Sequence, residues 1–349
     1  MEKITTVGID LAKQVMAVCA MDAEGRMVMR KVLRRDQVLR WTATLPQCVV
    51  AMEACGGAHY WARELTQQGH TVRIIAAEFV QAFRKSGKND ANDAEAIATA
   101  ARQPTMRFVA MKSVEQQAAL CVHRLRQGVT EERTAVINRL RGLLTEFGIV
   151  APLSPAKLRR ELARCQDPDD LRLPATVRQL VGDQVIALDQ LDARLMSYAE
   201  TIAAQAQQSE IARRLQTIAG VGPTTAAAMV ASVSDAKDFR NGRQFAAWLG
   251  LTPRQHSTGG KTRLGRITKR GDAYLRTLLI LGARSTLQSA LRKPPEGRHR
   301  LQQWIVAVFG RIGYHKTLVA IANKHARIIW ALLIKGEAFD VRRLAQHAV

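Results

Sequence analysis

Four acidic side chains occupy positions from which carboxylates could act together on a phosphodiester. Asp10 and Glu53 each come directly after an apolar run, whereas Asp90 and Asp93 are three residues apart, a spacing that places both on one face of a helix. Converging carboxylates repel one another unless divalent cations neutralise them, and hard oxygen ligands suit Mg²⁺ or, as a substitute, Mn²⁺. Two such ions roughly 4 Å apart would activate an attacking oxygen and stabilise a leaving oxygen. The pattern suggests metal-dependent phosphodiester cleavage.

Each of these acids, taken alone, also has a structural explanation. That explanation is weakest for Asp10, because an acid that closes the apolar run Val7-Gly8-Ile9 needs a reason to lie at the edge of a core. It is strongest for Asp93, which could simply help Asp90 to begin a helix. Spacing alone therefore leaves a metal site and a structural role open.

A second group of reactive residues lies between Arg254 and Asp272, a segment with six basic residues and one acid. Its glycines permit the backbone to lie against phosphates, while lysine and arginine supply positive charge. We predict nucleic-acid contacts at Arg254, Gly259, Gly260, Lys261, Arg263, Arg266, Lys269 and Arg270. A plain solvated loop is the alternative.

Two hydroxyls in this loop, Ser257 and Thr258, could serve as a nucleophile once deprotonated or oriented. The residues alone do not distinguish them, and either could be an ordinary turn hydroxyl. The neighbouring His256 could act as a base or contact phosphate, although a lone histidine is more often structural. Upstream, Gly220 and Gly222 lie in a Gly-Val-Gly-Pro turn between two helical patterns, which resembles a helix-hairpin-helix turn. Such a turn either contacts phosphate or is simply tight.

The first 110 residues alternate short apolar runs with helical patterns. Three strands joined by short turns predict an antiparallel meander: Ile4–Ile9, Val15–Met21 and Met27–Leu33. Two further strands follow, Cys48–Met52 and Val72–Ala76. The predicted helices are Gln37–Thr44, Tyr60–Gln68, Glu78–Lys85 and Asp93–Arg102. This order of elements is typical of a ribonuclease H-like α/β domain.

The remainder of the sequence is mainly helical. Long helices are predicted over Val114–Phe147 and Val177–Gln207, with the proline-containing segment Ser154–Pro174 as a connector. Apolar residues in the second helix step by three and four, as in a coiled coil: Leu188, Leu191, Leu195, Tyr198 and Ile202. The pair forms an antiparallel stalk, a dimer contact or an ordinary bundle. Two more helices are predicted within Ala283–Lys335. The expected domains are 1–110, catalytic; 111–209, stalk and connector; 210–336, C-terminal; and 337–349, a tail.

Charge and composition narrow the class of protein. The 349 residues carry a formal net charge of +22, and residues 254–349, with 19 basic and 4 acidic side chains, supply +15 of it. Such asymmetry favours a polyanionic partner, DNA or RNA above all. Five cysteines without a CxxC pair argue against a disulfide scaffold or zinc ribbon and predict a reducing compartment. The N-terminus lacks a signal pattern and no uninterrupted apolar span is evident, so we expect a cytoplasmic protein without a membrane partner.

Three acidic motifs carry a resemblance to a known family. Residues 8–13 (GIDLAK), 51–61 (AMEACGGAHYW) and 86–97 (SGKNDANDAEAI) resemble the motifs of DEDD-type insertion-sequence transposases, the large family numbered 110 and in particular its 1111 subgroup. The likeness runs from about residue 4 to about residue 335. It implies a RuvC-like N-terminal domain, an α-helical C-terminal transposase domain, and a Mg²⁺-binding tetrad at Asp10, Glu53, Asp90 and Asp93.

The resemblance also implies a recombinase rather than a simple nuclease. The family's C-terminal domain carries a serine before a small-Gly-Gly run, a position that Ser257 occupies, and that serine joins covalently to DNA. The serine and the tetrad act in cis or in trans within a dimer or tetramer. A non-coding RNA encoded by the element (a bridge RNA) pairs with donor and target DNA and selects the sequence. On DNA the protein would associate with the nucleoid.

Two other functions use the same residues differently. A RuvC-like endonuclease would hydrolyse DNA junctions with water and would not need Ser257. A non-catalytic nucleic-acid-binding protein would not need the carboxylates, although all four are present. The transposase is the function that the motifs favour.

Overall fold

The computed structural model describes residues 4–85, 87, 89–151 and 153–340. The chain divides into two compact units, Met1–Ser113 and Val114–Val349. The first is a mixed α/β unit and the second is mostly helical. The expected order of a mixed α/β region followed by a helical region is confirmed.

A six-stranded sheet forms the centre of the first unit. Its strands are β1 (Thr6–Asp10), β2 (Val15–Met21), β3 (Met27–Arg34), β4 (Val49–Glu53), β5 (Thr71–Ile75) and β6 (Phe108–Val109). Their order is β3-β2-β1-β4-β5-β6; the first three are antiparallel, β1, β4 and β5 run parallel, and β6 returns antiparallel to β5. The central strands are buried on both faces, which explains their continuous apolar sequence.

Four helices accompany this sheet: α1 (Val38–Thr42), α2 (Ala58–Gln67), α3 (Ala77–Val80) and α4 (Asp90–Ala101). Helix α4 is rich in alanine because it packs closely on β1 and β2, and Ala94, Ala98 and Cys19 share one buried cluster there. The predicted helix over 78–85 is shorter than expected, since a 3₁₀ turn, Gln81–Phe83, follows α3.

The second unit contains nine helices within the part of the chain that the structure describes. They are α5 (Val114–Glu146), α6 (Pro155–Cys165), α7 (Ala175–Gln208), α8 (Glu210–Leu215), α9 (Pro223–Ser232), α10 (Gly242–Trp248), α11 (Ala273–Arg292), α12 (Arg300–Ile312) and α13 (Tyr314–Lys335). Helices α5 and α7 lie antiparallel: Arg133 pairs with Asp192, and the later Arg139 donates to the earlier Gln184 at 3.0 Å.

Two predictions for this unit were wrong in detail. The connector 154–174 contains the helix α6, because Pro155 at its first position begins a helix rather than preventing one. The C-terminal segment has three helices where two were predicted. Gly313, at φ +74°, separates α12 from α13 in a conformation that favours glycine. Residues 341–349 of the expected tail lie outside the described residues.

Helix α13 is long and apolar enough to cross a membrane, with a mean hydropathy of 1.3 over its best window. Its buried residues include Leu318, Ile321 and Ile329, which belong to the core of the second unit. Because these residues form one buried cluster with the other helices of the unit, we interpret α13 as a core helix, 44% of whose apolar window is buried.

Candidate active site and nucleic-acid interface

Asp10 and Glu53 end two neighbouring parallel strands. The register pairs Ile9 with Met52, so the two acids are the next residues along β1 and β4. Neighbouring strands lie about 4.8 Å apart. Both carboxylates therefore stand at the same edge of the sheet, where the strand order alone brings them together.

The helix α4 adds the other two acids, Asp90 and Asp93, from its first turn. The turn is fixed by the Asn89 side chain, which accepts a hydrogen bond from the Asn92 backbone N–H at 2.8 Å. The helix approaches β1 closely because Gly8 has no side chain there: a Cβ on Gly8 would lie 2.3 Å from the Ala94 carbonyl oxygen. This close packing holds the first turn of α4 over the end of β1.

Replacing Gly8 with alanine should destabilise the first unit by about 1–3 kcal/mol, because the added methyl group forces α4 away from the sheet. Urea unfolding measures this change. Gly56→Ala is the matched control in the same unit, since a Cβ there meets nothing within 4 Å. Equal stability of the two variants would contradict the packing role.

The electrostatics of Asp10 reflect its burial and the three other acids. Burial, and then the charges of Asp93, Asp90 and Glu53, raise the pKa of Asp10 to about 6, while Arg84 acts in the opposite direction. The part of this shift that comes from the three other acids, beyond the larger effect of burial, reflects an excess of negative charge at the site. A divalent cation would relieve that excess.

Arg84 is a site residue that sequence reasoning missed. Its Nε lies 2.5 Å from Asp93 Oδ1 in a largely buried ion pair. Nothing in the local sequence distinguishes Arg84 from the nearby Lys85, whose ammonium group pairs instead with Glu95. Only the fold shows that Arg84 contacts an acid of the tetrad, whereas Lys85 contacts Glu95 outside it.

The tetrad fits a divalent cation by its donor chemistry, because all four side chains offer hard carboxylate oxygens, and burial together with the three other acids raises the pKa of Asp10. Within the described residues no three His, Cys, Asp or Glu side chains are close enough as they stand to hold an ion together. Asp93 is turned toward Arg84. Metal binding would therefore require side-chain rearrangements at the tetrad.

The basic segment of the second unit is a β-hairpin, which the sequence did not predict. Strands β7 (Pro253–Gln255) and β8 (Leu264–Ile267) pair antiparallel, and the connecting tip is exposed. All eight predicted contact residues of this segment are exposed. Gly259 and Gly260 at the tip have φ of +56° and +75°, values that favour glycine.

Ser257 lies on this tip, where its Oγ accepts a hydrogen bond from the Gln255 side-chain amide at 2.9 Å. Thr258 forms a backbone bridge with Lys261, and the His256 N–H donates to the Arg263 carbonyl. The Ser257 side chain is exposed to solvent.

The base of the hairpin is held firmly against α10. A Cβ on Gly250 would lie 2.2 Å from the Arg270 carbonyl oxygen, and one on Gly271 would lie 1.9 Å from that of Trp248. Backbone therefore packs directly on backbone at this point, and the hairpin projects from a rigid base.

The two glycines of the upstream turn differ in their surroundings. Gly220 packs on α11, since a Cβ there would lie 2.4 Å from the Gly282 carbonyl oxygen. Gly222 precedes α9 and is open, with nothing within 4 Å of an added Cβ. Close packing accounts for Gly220, whereas Gly222 leaves the start of α9 accessible.

Comparison with known proteins extends over nearly the whole chain. A protein-family model named for the DEDD transposase of IS110 matches residues 7–149. A second family model, described as "Transposase IS116/IS110/IS902 family", matches residues 212–300. A Pseudomonas aeruginosa protein named "Probable family 20 transposase" is 47% identical over 96% of this chain and 98% of its own length.

Two further relatives come from named insertion sequences. The transposase of IS1111A from Coxiella burnetii is 38% identical over 97% of this chain and 92% of its own length. The transposase of IS1328 from Yersinia enterocolitica is 37% identical over 97% of this chain and 100% of its own. The resemblance to insertion-sequence transposases is therefore confirmed.

Proposed function

The chain belongs to the IS116/IS110/IS902 family of DNA transposases, and we propose that it exchanges DNA strands through a serine nucleophile assisted by carboxylate-bound Mg²⁺. The observation that supports the metal assignment is the placement of the four acids: Asp10 and Glu53 end neighbouring parallel strands, and the first turn of α4, packed on Gly8, carries Asp90 and Asp93. Bound at the tetrad, the cations would polarise the scissile phosphate and stabilise the leaving oxygen. Mn²⁺ is the expected substitute for Mg²⁺.

In this proposal Asp10, Glu53, Asp90 and Asp93 hold the metal. The Oγ of Ser257 forms a bond to phosphorus as the bond from phosphorus to the leaving sugar oxygen breaks. The serine gives up its proton, the leaving oxygen gains one, and a later attack by a sugar hydroxyl releases Ser257 and rejoins the strands. The cations of the hairpin orient the phosphate.

Family membership supports three further parts of the proposal. A non-coding RNA encoded by the element pairs with the element ends and the target, and so supplies the sequence choice. The protein acts as a dimer or tetramer, in which the first 110 residues cut, 111–209 join subunits, and 210–336 carry the serine. It works in the cytoplasm, on the nucleoid.

The test is recombination between donor and target plasmids in cells that express the chain together with the non-coding DNA that flanks its gene. RNA recovered with the purified protein is sequenced. Recombination that requires both the protein and the flanking DNA supports the proposal. Recombination that persists after deletion of the flanking DNA contradicts RNA guidance, whereas a failure of the intact pair to recombine contradicts strand exchange.

Removing the charges of Lys261 and Arg263 should weaken binding to DNA of any sequence and lower the salt slope by about 2, because each phosphate contact releases about one counterion. Both side chains are exposed on the hairpin. A salt titration of the Lys261→Gln/Arg263→Gln variant measures the slope, with Lys157→Gln on the exposed face of α6 as the control. An unchanged salt slope would indicate that Lys261 and Arg263 do not contact DNA phosphates.

A further inference from the structure

A cavity of about 910 Å³ opens at one edge of the first unit and has no role in the chemistry above. It is lined by the turn after β1, the end of β3, and the starts of α1 and α2. We call it the edge pocket, and its lining includes Lys13, Arg34, Arg35, Leu39, Tyr60 and Trp61. Its volume is in the range of pockets that hold a small organic ligand, about 300–1,000 Å³.

Two aromatic rings form part of its wall. Trp61 is only 3% exposed and belongs to the core, whereas the neighbouring Tyr60 is 42% exposed. Their ring centroids are 5.4 Å apart at an interplanar angle of 72°, so the buried indole fixes the exposed phenol edge to face. Tyr60 thus offers a held aromatic surface at the mouth of the pocket.

Three cations surround these rings. The Arg35 guanidinium lies 5.0 Å from the Trp61 ring centroid, an interaction that stabilises both side chains. Arg34 pairs with Asp36 at 3.3 Å, but both partners are exposed and such a pair is weak. With Lys13 added, the lining carries three positive charges against the one of Asp36. An exposed aromatic ring beside excess positive charge is the combination that binds an unpaired nucleotide.

The edge pocket and the tetrad lie at the same edge of the sheet, where β1 and β3 end. Strands β1 and β3 run in the same direction, so Arg34 at the end of β3 and Asp10 at the end of β1 lie on one edge with β2 between them. Asp10 is level with Val32, so two strand spacings across the sheet and two residues along it separate Asp10 from Arg34, about 12 Å in all. Asp10 lies on the α4 face of the sheet with Gly8, whereas Trp61 and Leu39 pack with Ile9 on the opposite face. A DNA strand whose phosphate is held at the carboxylates would therefore reach the pocket by passing round this edge of the sheet.

We propose that the edge pocket holds an unpaired nucleotide of the DNA strand that is cut, with its base stacked on Tyr60 and its flanking phosphates held by Lys13 and Arg34. The choice of DNA rests on the proposed function, because the shared edge makes the substrate of the carboxylates the nearest strand. The pocket would hold one base out of the duplex beside the site of cleavage.

Photocross-linking tests this inference on the full chain. Single-stranded DNA that contains 5-iodouracil is irradiated with the protein in EDTA, and the linked residue is located by mass spectrometry. We expect a cross-link at Tyr60. The Tyr60→Leu variant should lose it and bind the strand roughly 5- to 100-fold more weakly, which is the usual range for one base–aromatic stack.

Four variants make the result specific. Tyr60→Phe retains the ring and should retain both the cross-link and the affinity, which separates stacking from a folding defect. Tyr314→Leu removes a similarly exposed tyrosine, 38% exposed, from the second unit and should change neither. Lys13→Gln should weaken binding, whereas Lys31→Gln, which removes the same charge outside the pocket, should not.

Cross-links confined to other sites, together with wild-type affinity of Tyr60→Leu, would overturn the proposal. So would a Tyr60 cross-link to the matching RNA in the absence of one to DNA. Since the assay involves no cleavage, its outcome is independent of whether the metal and serine assignments are correct. Conversely, metal-dependent cleavage with no cross-link at Tyr60 would leave the proposed function standing without the pocket.

Discussion

A Ser257→Ala variant is expected to bind DNA normally but form no covalent protein–DNA intermediate and exchange no strands. Alanine has no hydroxyl to attack phosphorus, and removing a serine nucleophile costs on the order of 10⁶-fold in a serine enzyme. The side chain is exposed at the hairpin tip, with Gln255 as its hydrogen-bond partner. Its loss should not disturb the fold.

The measurement is denaturing electrophoresis of end-labelled DNA after incubation with Mg²⁺, where a covalent adduct migrates with the protein. Thr258→Val is the matched control, because it removes the adjacent hydroxyl and should leave the adduct in place. An adduct that persists in Ser257→Ala and disappears in Thr258→Val would reassign the nucleophile. DNA that is still cut by Ser257→Ala, without an adduct in either protein, would indicate hydrolysis by water and favour the junction endonuclease.

The strands of the first unit were predictable because each is a short apolar run that ends in a turn. Val15–Met21 is a strand at the predicted bounds, and β1, β3 and β4 differ from the prediction by one or two residues. Apolar periodicity records burial directly, and strands that are buried on both faces leave little ambiguity. The predicted strand ends also placed Asp10 and Glu53 directly after two strands, which the structure shows to be neighbours.

Other features depend on contacts between segments that are distant in sequence. Pro155 is the first residue of α6, and the helix is stabilised because Leu158 and Leu162 are buried in a hydrophobic cluster. The hairpin at 253–267 is polar or glycine apart from Pro253, Leu264 and Ile267, so no alternation of apolar side chains marked its strands. Arg84 reaches Asp93 through the turn after α3, a path that no local pattern encodes. The sequence therefore indicated the strands that carry Asp10 and Glu53 better than it indicated the contacts that hold the candidate residues in position.

The second large effect is expected from Asp10→Asn, which should abolish Mg²⁺-dependent cleavage. Asparagine keeps the size of the side chain but removes the negative charge, so the site loses a metal ligand that contributes charge as well as an oxygen. Cleavage of labelled DNA measures activity, and calorimetric titration with Mg²⁺ measures binding. Glu24→Gln, which alters an exposed acid in the turn between β2 and β3, should cut normally. Unchanged cleavage by Asp10→Asn would favour the non-catalytic binding protein.

The same substitution should make the metal-free protein more stable. Burial and the neighbouring acids raise the pKa of Asp10 from 3.8 to about 6, so the ionised carboxylate destabilises the folded state at higher pH. Asparagine removes that cost, which is on the order of 1 kcal/mol once solvent screening of a half-buried group is allowed for. Urea unfolding at pH 7.5 should show the gain, and the gain should shrink as the pH falls from about 6 and vanish below about pH 3, where the carboxyl group is protonated in both states.

These two results together exclude a trivial explanation for lost activity. A misfolded variant would lose both cleavage and stability, whereas removal of one carboxylate from a repelling group loses cleavage and gains stability. The gain also follows from the geometry, since the acids at the ends of β1 and β4 and in the first turn of α4 are held together by the Gly8 contact. If Asp10→Asn were less stable than the wild type at pH 7.5, burial and the neighbouring acids would not be destabilising the ionised Asp10, and that support for a cation site would be lost.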